Sequence, residues 1–420
     1  MVVECQVVRF QKDSSGTTNA TQDVNLNFTP KAIIVFSEGN NADNTVSTHY
    51  QWGQGFSDGT NHACFAAVSD DADAAGDTAK SYRNDSVFVR LNESFTTITI
   101  QSRATCAFAT NKVTFTWVVN DTTATYLTLY AFGGDDITNA KVATVDVGRN
   151  TAGTQNYTGL GFNPAAGEAV LFTLKSGATA SGESDHAHGS FGAAVSSTAR
   201  WALSVMSENA SDPTDTWRTT QTTNCLYELD DTGAEASKAD FDGWITDGFT
   251  LDWENPATNT TDDFSYLVIK GGKWDCGTLT APNTPTNDVD TSVSVSSNTL
   301  RGLLMVTNNY TDSSITTSNN VSVGATDGTT QASMGTVDED AQNNADGYRV
   351  NSSTHVIRAI STNGVQQHTA TFDSFGTNSF RLDWDNAVAF LPLHNWVVVA
   401  DSVAVAEELL ILSGYYASDK

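Results

Sequence analysis

Short runs along this chain alternate apolar with polar residues, as in Thr97-Ile98-Thr99-Ile100, Val113-Thr114-Phe115-Thr116-Trp117 and His355-Val356-Ile357-Arg358-Ala359-Ile360. A period of two puts one face of a strand in a core and the other toward water. β-Branched and aromatic residues dominate these runs, which suits a pleated, half-buried surface. Between them lie Asn, Asp, Gly and Ser stretches such as Gly39-Asn40-Asn41-Ala42-Asp43 and the segment from Ser176 to Gly182. Gly supplies positive φ and the small polar side chains bond back to their own backbone, so these are turns. The pattern predicts an all-β chain.

The pattern also recurs. Ala72, Ala210 and Ala341 each precede an Asp by five residues (Asp77, Asp215, Asp346), and a cation follows three residues later (Lys80, Arg218, Arg349). The alanines lie 138 and 131 residues apart. Trp117, Trp253 and Trp384 close alternating strands in the same phase, and Gly55, Gly192 and Gly324 also align. Tyr126-Leu127-Thr128-Leu129, leading to Gly133-Gly134, matches Tyr266-Leu267-Val268-Ile269, leading to Gly271-Gly272; Trp396-Val397-Val398-Val399 is the third copy. A repeat this long is a whole domain rather than one turn of a solenoid. The expectation is three tandem β-sandwich, jelly-roll-like domains from an internal triplication: 1–138, 139–274, and 275–420 with a C-terminal tail. The helix-leaning stretch at 404–412 has no counterpart in the other copies.

Composition narrows the partners. The net charge is −28 and the pI near 4.3, so nucleic acid and anionic membranes are repelled. No apolar run reaches the length of a membrane span, and Met1-Val2-Val3-Glu4 lacks the basic region and cleavage site of a signal peptide. The expected setting is a cytoplasm, with release, if any, by lysis or another signal-independent route. Cys5, Cys64, Cys106, Cys225 and Cys276 show no motif spacing and an odd count, so they are read as small buried hydrophobes rather than a disulfide framework.

Candidate chemistry is sparse. Glu208 with Asp215, and Glu339 with Asp346, could offer hard oxygen ligands to Ca²⁺. The simpler reading pairs each Asp with the cation three residues on, or makes it a turn cap. Trp117, Trp253 and Trp384 are core residues by default; exposed, they could stack on a sugar. His186 and His188 would share one face of a strand beside Asp185, which is an ordinary polar turn unless further metal ligands join them. His49 and His62 flank loops. No hydrolase, kinase, phosphate-loop or zinc-protease motif occurs, so no enzyme activity or resident cofactor is expected.

Phe28-Thr29-Pro30, opening Ala32-Ile33-Ile34-Val35-Phe36, and Gly161-Phe162-Asn163-Pro164 resemble the GF-x-P strand that opens tandem domains in a group of tailed-virus virion proteins. Ser207 to Arg218, Asp247-Gly248-Phe249-Thr250-Leu251-Asp252-Trp253 and Tyr266 to Gly272 continue the likeness, which runs over most of the chain. Repeat three lacks the Pro and the Gly pair. The resemblance implies a virion structural protein displayed on the particle as capsid decoration, turret or tail component, in contact with other virion subunits and forming a homo-oligomer. A fainter resemblance to H-type lectins implies the alternative, a carbohydrate-binding adhesin or receptor-binding tail-fibre module that holds host surface glycans.

Overall fold

The computed structural model describes residues 1–71, 77–93, 97–146, 152–176, 181–256, 263–295, 299–386 and 391–402. All regular structure in them is β, in three successive sets of eleven strands. The first set is β1 (Glu4–Gln11), β2 (Ala20–Asn25), β3 (Pro30–Ser37), β4 (Ser47–Thr48), β5 (Tyr50–Ser57), β6 (His62–Ser69), β7 (Thr78–Arg83), β8 (Phe88–Leu91), β9 (Ile100–Ala109), β10 (Lys112–Val119) and β11 (Tyr126–Gly133). The second is β12 (Ile137–Asp146), β13 (Gly153–Thr158), β14 (Ala169–Lys175), β15 (Gly182–Asp185), β16 (Ala187–Ala194), β17 (Arg200–Ser207), β18 (Thr216–Gln221), β19 (Leu226–Leu229), β20 (Glu235–Ile245), β21 (Gly248–Asn255) and β22 (Asp263–Gly271). The third is β23 (Lys273–Thr280), β24 (Thr286–Ser292), β25 (Leu300–Thr307), β26 (Thr316–Thr317), β27 (Asn319–Thr326), β28 (Gln331–Asp338), β29 (Gly347–Ser352), β30 (Ile357–Ile360), β31 (Gln366–Gly376), β32 (Ser379–Asn386) and β33 (Leu393–Ala400). The segment 404–412 lies outside the described residues.

Each set builds a seven-stranded and a four-stranded antiparallel sheet in the same order. In the first set the small sheet is β2-β10-β9-β8, and the large one is β1-β11-β3-β5-β6-β7 closed by β15 of the second set. The second set's β18 edge receives β26 of the third, and the third set's β29 edge receives β4 of the first. The loans therefore run in a closed cycle. A single left-handed residue turns each lent strand back into its own sheet: His49, His186 and Ser318, with φ of 67°, 66° and 63°.

The two faces of a large sheet differ in what they must fit. On β5, Gln51, Gly53 and Gly55 share the face toward the small sheet, and a Cβ on Gly55 would lie 2.0 Å from the Val87 carbonyl oxygen. Gly192 meets Cys225 O at 2.0 Å and Gly324 meets Val356 O at 2.1 Å in the same way, so only glycine lets the small sheet's backbone approach. Pairing from these glycines places Ile33, Leu171 and Leu303 in correspondence, opposite Ala131, Val268 and Val398. Leu129, Tyr266 and Trp396 thus correspond, so the alignment of Tyr126 with Tyr266 expected from sequence is three residues out. A register shift between Phe132 and Gly133 contributes to the slip.

The opposite faces of all three large sheets meet in one common core, which includes Trp52, Phe56 and Phe65 of the first set, Phe172, Phe191 and Trp201 of the second, and Val321, Val323 and Met334 of the third. Corresponding positions there carry unequal residues. Trp52 stands where Gly189 and Val321 stand, and Trp201 where Ala63 and Ala332 stand. A Cβ on Gly189 would lie 2.6 Å from the Trp52 ring. The Trp201 indole N–H crosses to the third set and donates to Trp396 O (3.1 Å).

Overpacking follows directly from that contact. Gly189→Ala should destabilise the protein by roughly 1–3 kcal/mol, and Trp52→Leu in the same chain should return part of the loss. Equilibrium urea denaturation of the two single variants and the double variant measures both.

Candidate functional site: the junctions between strand sets

The acidic repeat element forms the three junctions. The carboxylate residue two before its Ala and its later Asp close a hairpin through their backbones: Asp70 N–H to Asp77 O (2.9 Å), Glu208 N–H to Asp215 O (2.9 Å), and Glu339 N–H to Asp346 O (3.1 Å). The next residue reaches back to the preceding set. Asn209 Oδ1 accepts from Thr78 N–H (2.8 Å), Asp340 Oδ1 from Thr216 N–H (2.9 Å), and Asp71 Oδ1 from Gly347 N–H (3.3 Å). The same residues are fixed from the left-handed turn, where His49 Nδ1 accepts from Asp71 N–H (2.9 Å) and His186 Nδ1 from Asn209 N–H (3.0 Å). Short polar side chains at these places complete the backbone bonding that a lent strand of two residues leaves undone.

The carboxylates proposed as Ca²⁺ ligands come together two by two. Burial and the adjoining Asp215 raise Glu208 above the ordinary carboxylate range, and burial with Asp346 does the same for Glu339. Two acids in contact share a proton more readily than two charges. Among the described residues, no group of three His, Cys, Asp or Glu side chains is placed to hold a metal ion.

For the second and third copies the pairing of the Asp with the cation three residues on is corrected. Arg349 Nη1 bonds Glu93 Oε1 (2.8 Å) and Gln51 Oε1 (3.3 Å) of the first set, and Arg218 lies over the Tyr310 ring of the third set, 5.5 Å from its centroid. Residues three apart on a strand point to opposite faces, so the cations face the neighbouring set instead. Burial lowers Arg218 to about 10. His188 and His186 converge on Asp231, at 2.8 and 3.8 Å, and not on Asp185.

The three in-phase tryptophans take their default place in the core, and the sugar-stacking alternative is corrected. Trp117, Trp253 and Trp384 are 0, 1 and 0% exposed, each inside the sandwich of its own set. A ring with no free face cannot stack on an external sugar. The five cysteines are free, four of them buried and Cys5 half-buried; burial pushes the Cys106 thiol up to about 12.

Two polar features escaped the sequence reading. Ser69, Ser207 and Asp338 correspond on β6, β17 and β28, and the two hydroxyls lie beside Asp338 and favour its charged form; Asp338 is 1% exposed. Burial outweighs their effect and raises Asp338 to about 7. In the third set's sandwich, His368 and His394 pack against Trp384, with ring centroids 5.9 and 5.1 Å away. His394 stands where Leu127 and Phe264 stand in the other sets. Burial lowers His368 to about 4 and His394 well below its ordinary 6.5. The cue was in the sequence: a polar residue at a column that is apolar in the other two copies.

The structure carries shallow clefts. One, of about 520 Å³, lies between the second and third sets against Ser196, Lys273, Trp274, Asp275 and Ser294. No family model and no curated protein sequence matches the chain.

Opposite pH responses follow. Asp338 has a folded pKa of about 7 against an ordinary 3.8, so the stability it contributes is present below 3.8 and is lost as pH rises through 7. Asp338→Asn should raise the melting temperature most at pH 8 and least at pH 4. His394 has a folded pKa below its ordinary 6.5, so its contribution is present above 6.5 and falls away as pH drops below it. His394→Leu should flatten that acid-side loss. Thermal melts from pH 4 to pH 8 test both variants.

Proposed function

We propose that this chain is a non-enzymatic structural protein displayed on a tailed-virus particle, as capsid decoration, turret or tail component. The carrying observation is the closed loan of strands, β15 to β7, β26 to β18 and β4 to β29. One polypeptide thereby supplies three sandwiches around a shared core, the geometry that a display protein otherwise obtains by trimerising. In this reading the strand sets are three tandem jelly-roll-like domains, 1–138, 139–274 and 275–420, descended from one triplicated unit.

The mechanism is rigid presentation. A core common to all three sets resists hinging between them, and the net charge of −28 keeps the outer loops hydrated and self-repelling. Other virion subunits, further copies of the chain among them, would dock on outer surfaces, because the inner faces of the large sheets are already occupied. The alternative, an adhesin for host glycans, cannot use the three buried in-phase tryptophans. It would need another surface, such as the cleft beside Trp274 and Asp275.

Cryo-electron microscopy of particles from the source tests the reading. Density for this chain on a shell, turret or tail supports display, with a tail-tip position favouring the adhesin. Its absence from every particle would sink the virion assignment.

A further inference from the structure

The three junctions repeat one polar arrangement, and the second is incomplete. Lys80, Arg218 and Arg349 correspond on β7, β18 and β29. The residue facing Arg349 from the next set is Glu93 and the one facing Lys80 is Asp231, the second residue after β8 and after β19; the same position after β30 is Thr362. The turns of the second and third sets match bond for bond, with Asp230 N–H to Ala234 O and Ser361 N–H to Val365 O. At the junction from the third set to the first, Arg349 meets Glu93 at 2.8 Å. At the junction from the first to the second, Asp231 is held at about 2, chiefly by its bond from His188 with the charge of Lys80 contributing. At the junction from the second to the third, the carboxylate position is Thr362, and Arg218 has no carboxylate partner among the described residues.

The groups around Arg218 are also unpartnered. Thr220 Oγ1 and both polar atoms of the Asn308 side chain are buried without a hydrogen bond among the described residues, and Arg218 Nε is too, as is Arg349 Nε at the complete junction. Thr220 and Asn308 are each 0% exposed. The corresponding residues at the complete junction are Asn351 and Glu38, which bond each other at 2.6 Å, so Thr220 and Asn308 occupy the two sides of the matching place at this junction. Asn308 lies two residues before Tyr310, whose ring carries the Arg218 guanidinium. Buried donors left unsatisfied cost about 1–3 kcal/mol each, and a guanidinium fork matches the two oxygens of a carboxylate or phosphate.

We propose that the junction between the second and third sets binds a small oxyanion, a carboxylate or a phosphate group. Arg218 supplies the charge, and the Asn308 amide and Thr220 hydroxyl supply neutral donors. The anion takes the place that Glu93 and Asp231 fill at the other two junctions.

The full chain is titrated with sodium acetate, inorganic phosphate and, at matched ionic strength, sodium chloride, reading melting temperature and calorimetric heat. Acetate or phosphate should raise the melting temperature saturably while chloride does not; which of the two acts identifies the oxyanion class. Arg218→Gln should weaken the response by about tenfold or more, the scale of losing one charged partner in a desolvated pair. Thr362→Glu rebuilds the internal carboxylate, so it should raise the melting temperature in chloride and abolish the acetate and phosphate response. The second variant decides the matter if the first does not fold. A wild-type response no different from chloride, or one unchanged in Thr362→Glu, overturns the proposal.

Discussion

Three large sheets must fill one interior. Space at the centre is fixed, so a large side chain from one set has to be answered by small ones from the other two. Trp52 therefore faces Gly189, and Trp201 stands at a position where the other two sets carry Ala63 and Ala332. Three copies of the first set would crowd three indoles into the place of one, and three copies of the third would leave a void. Either error costs several kcal/mol. The shared core thus ties the three sets to each other, and carrying them on one chain fixes which side chain stands at each place in the core.

The junctions obey a second constraint. A lent strand of two to four residues offers few ladder bonds, so side chains must make up the rest. Asp71, Asn209 and Asp340 do so in identical fashion, although one of them is neutral. Charge is less conserved than geometry around the ring. The set-to-set carboxylate of Asp58, which accepts from Val142 N–H, and that of Asp327, which accepts from Val7 N–H, give way to Val195 in the second set. The boundary between the second and third sets is therefore short of carboxylates at both places, whereas the other two boundaries are acidic.

The all-β class was legible because half-buried strands write their environment as alternation: Val113, Phe115 and Trp117 of β10 are buried and Thr114 and Thr116 are not. The strands of the large sheets were harder to place. β5, β16 and β27 are covered on both faces, so they show no period of two and were recognised only through their aligned glycines. The tryptophan column was correctly placed in sequence, and core was its default reading; only the structure shows that no face of these rings is left for a ligand. The closed exchange was illegible because two residues such as Ser47-Thr48 or Thr316-Thr317 carry no hydrophobic pattern. The cation partners were misread because the spacing of three was treated as proximity, when on a strand it means opposite faces.

The cycle of loans also has a direction in time. β4 is made early, but the edge it completes, β29, follows it by about 300 residues of synthesis. Val7 likewise waits for Asp327, and Val3 for the Asp401 carboxylate that accepts its N–H at 2.7 Å. Contacts of such separation are slow to form and leave apolar surface uncovered meanwhile. The nascent first set holds Trp52 and Phe65 uncovered until β16 of the second has emerged, and β4, Val7 and Val3 wait longer still, so the last strands to leave the ribosome are the ones that let the first finish folding.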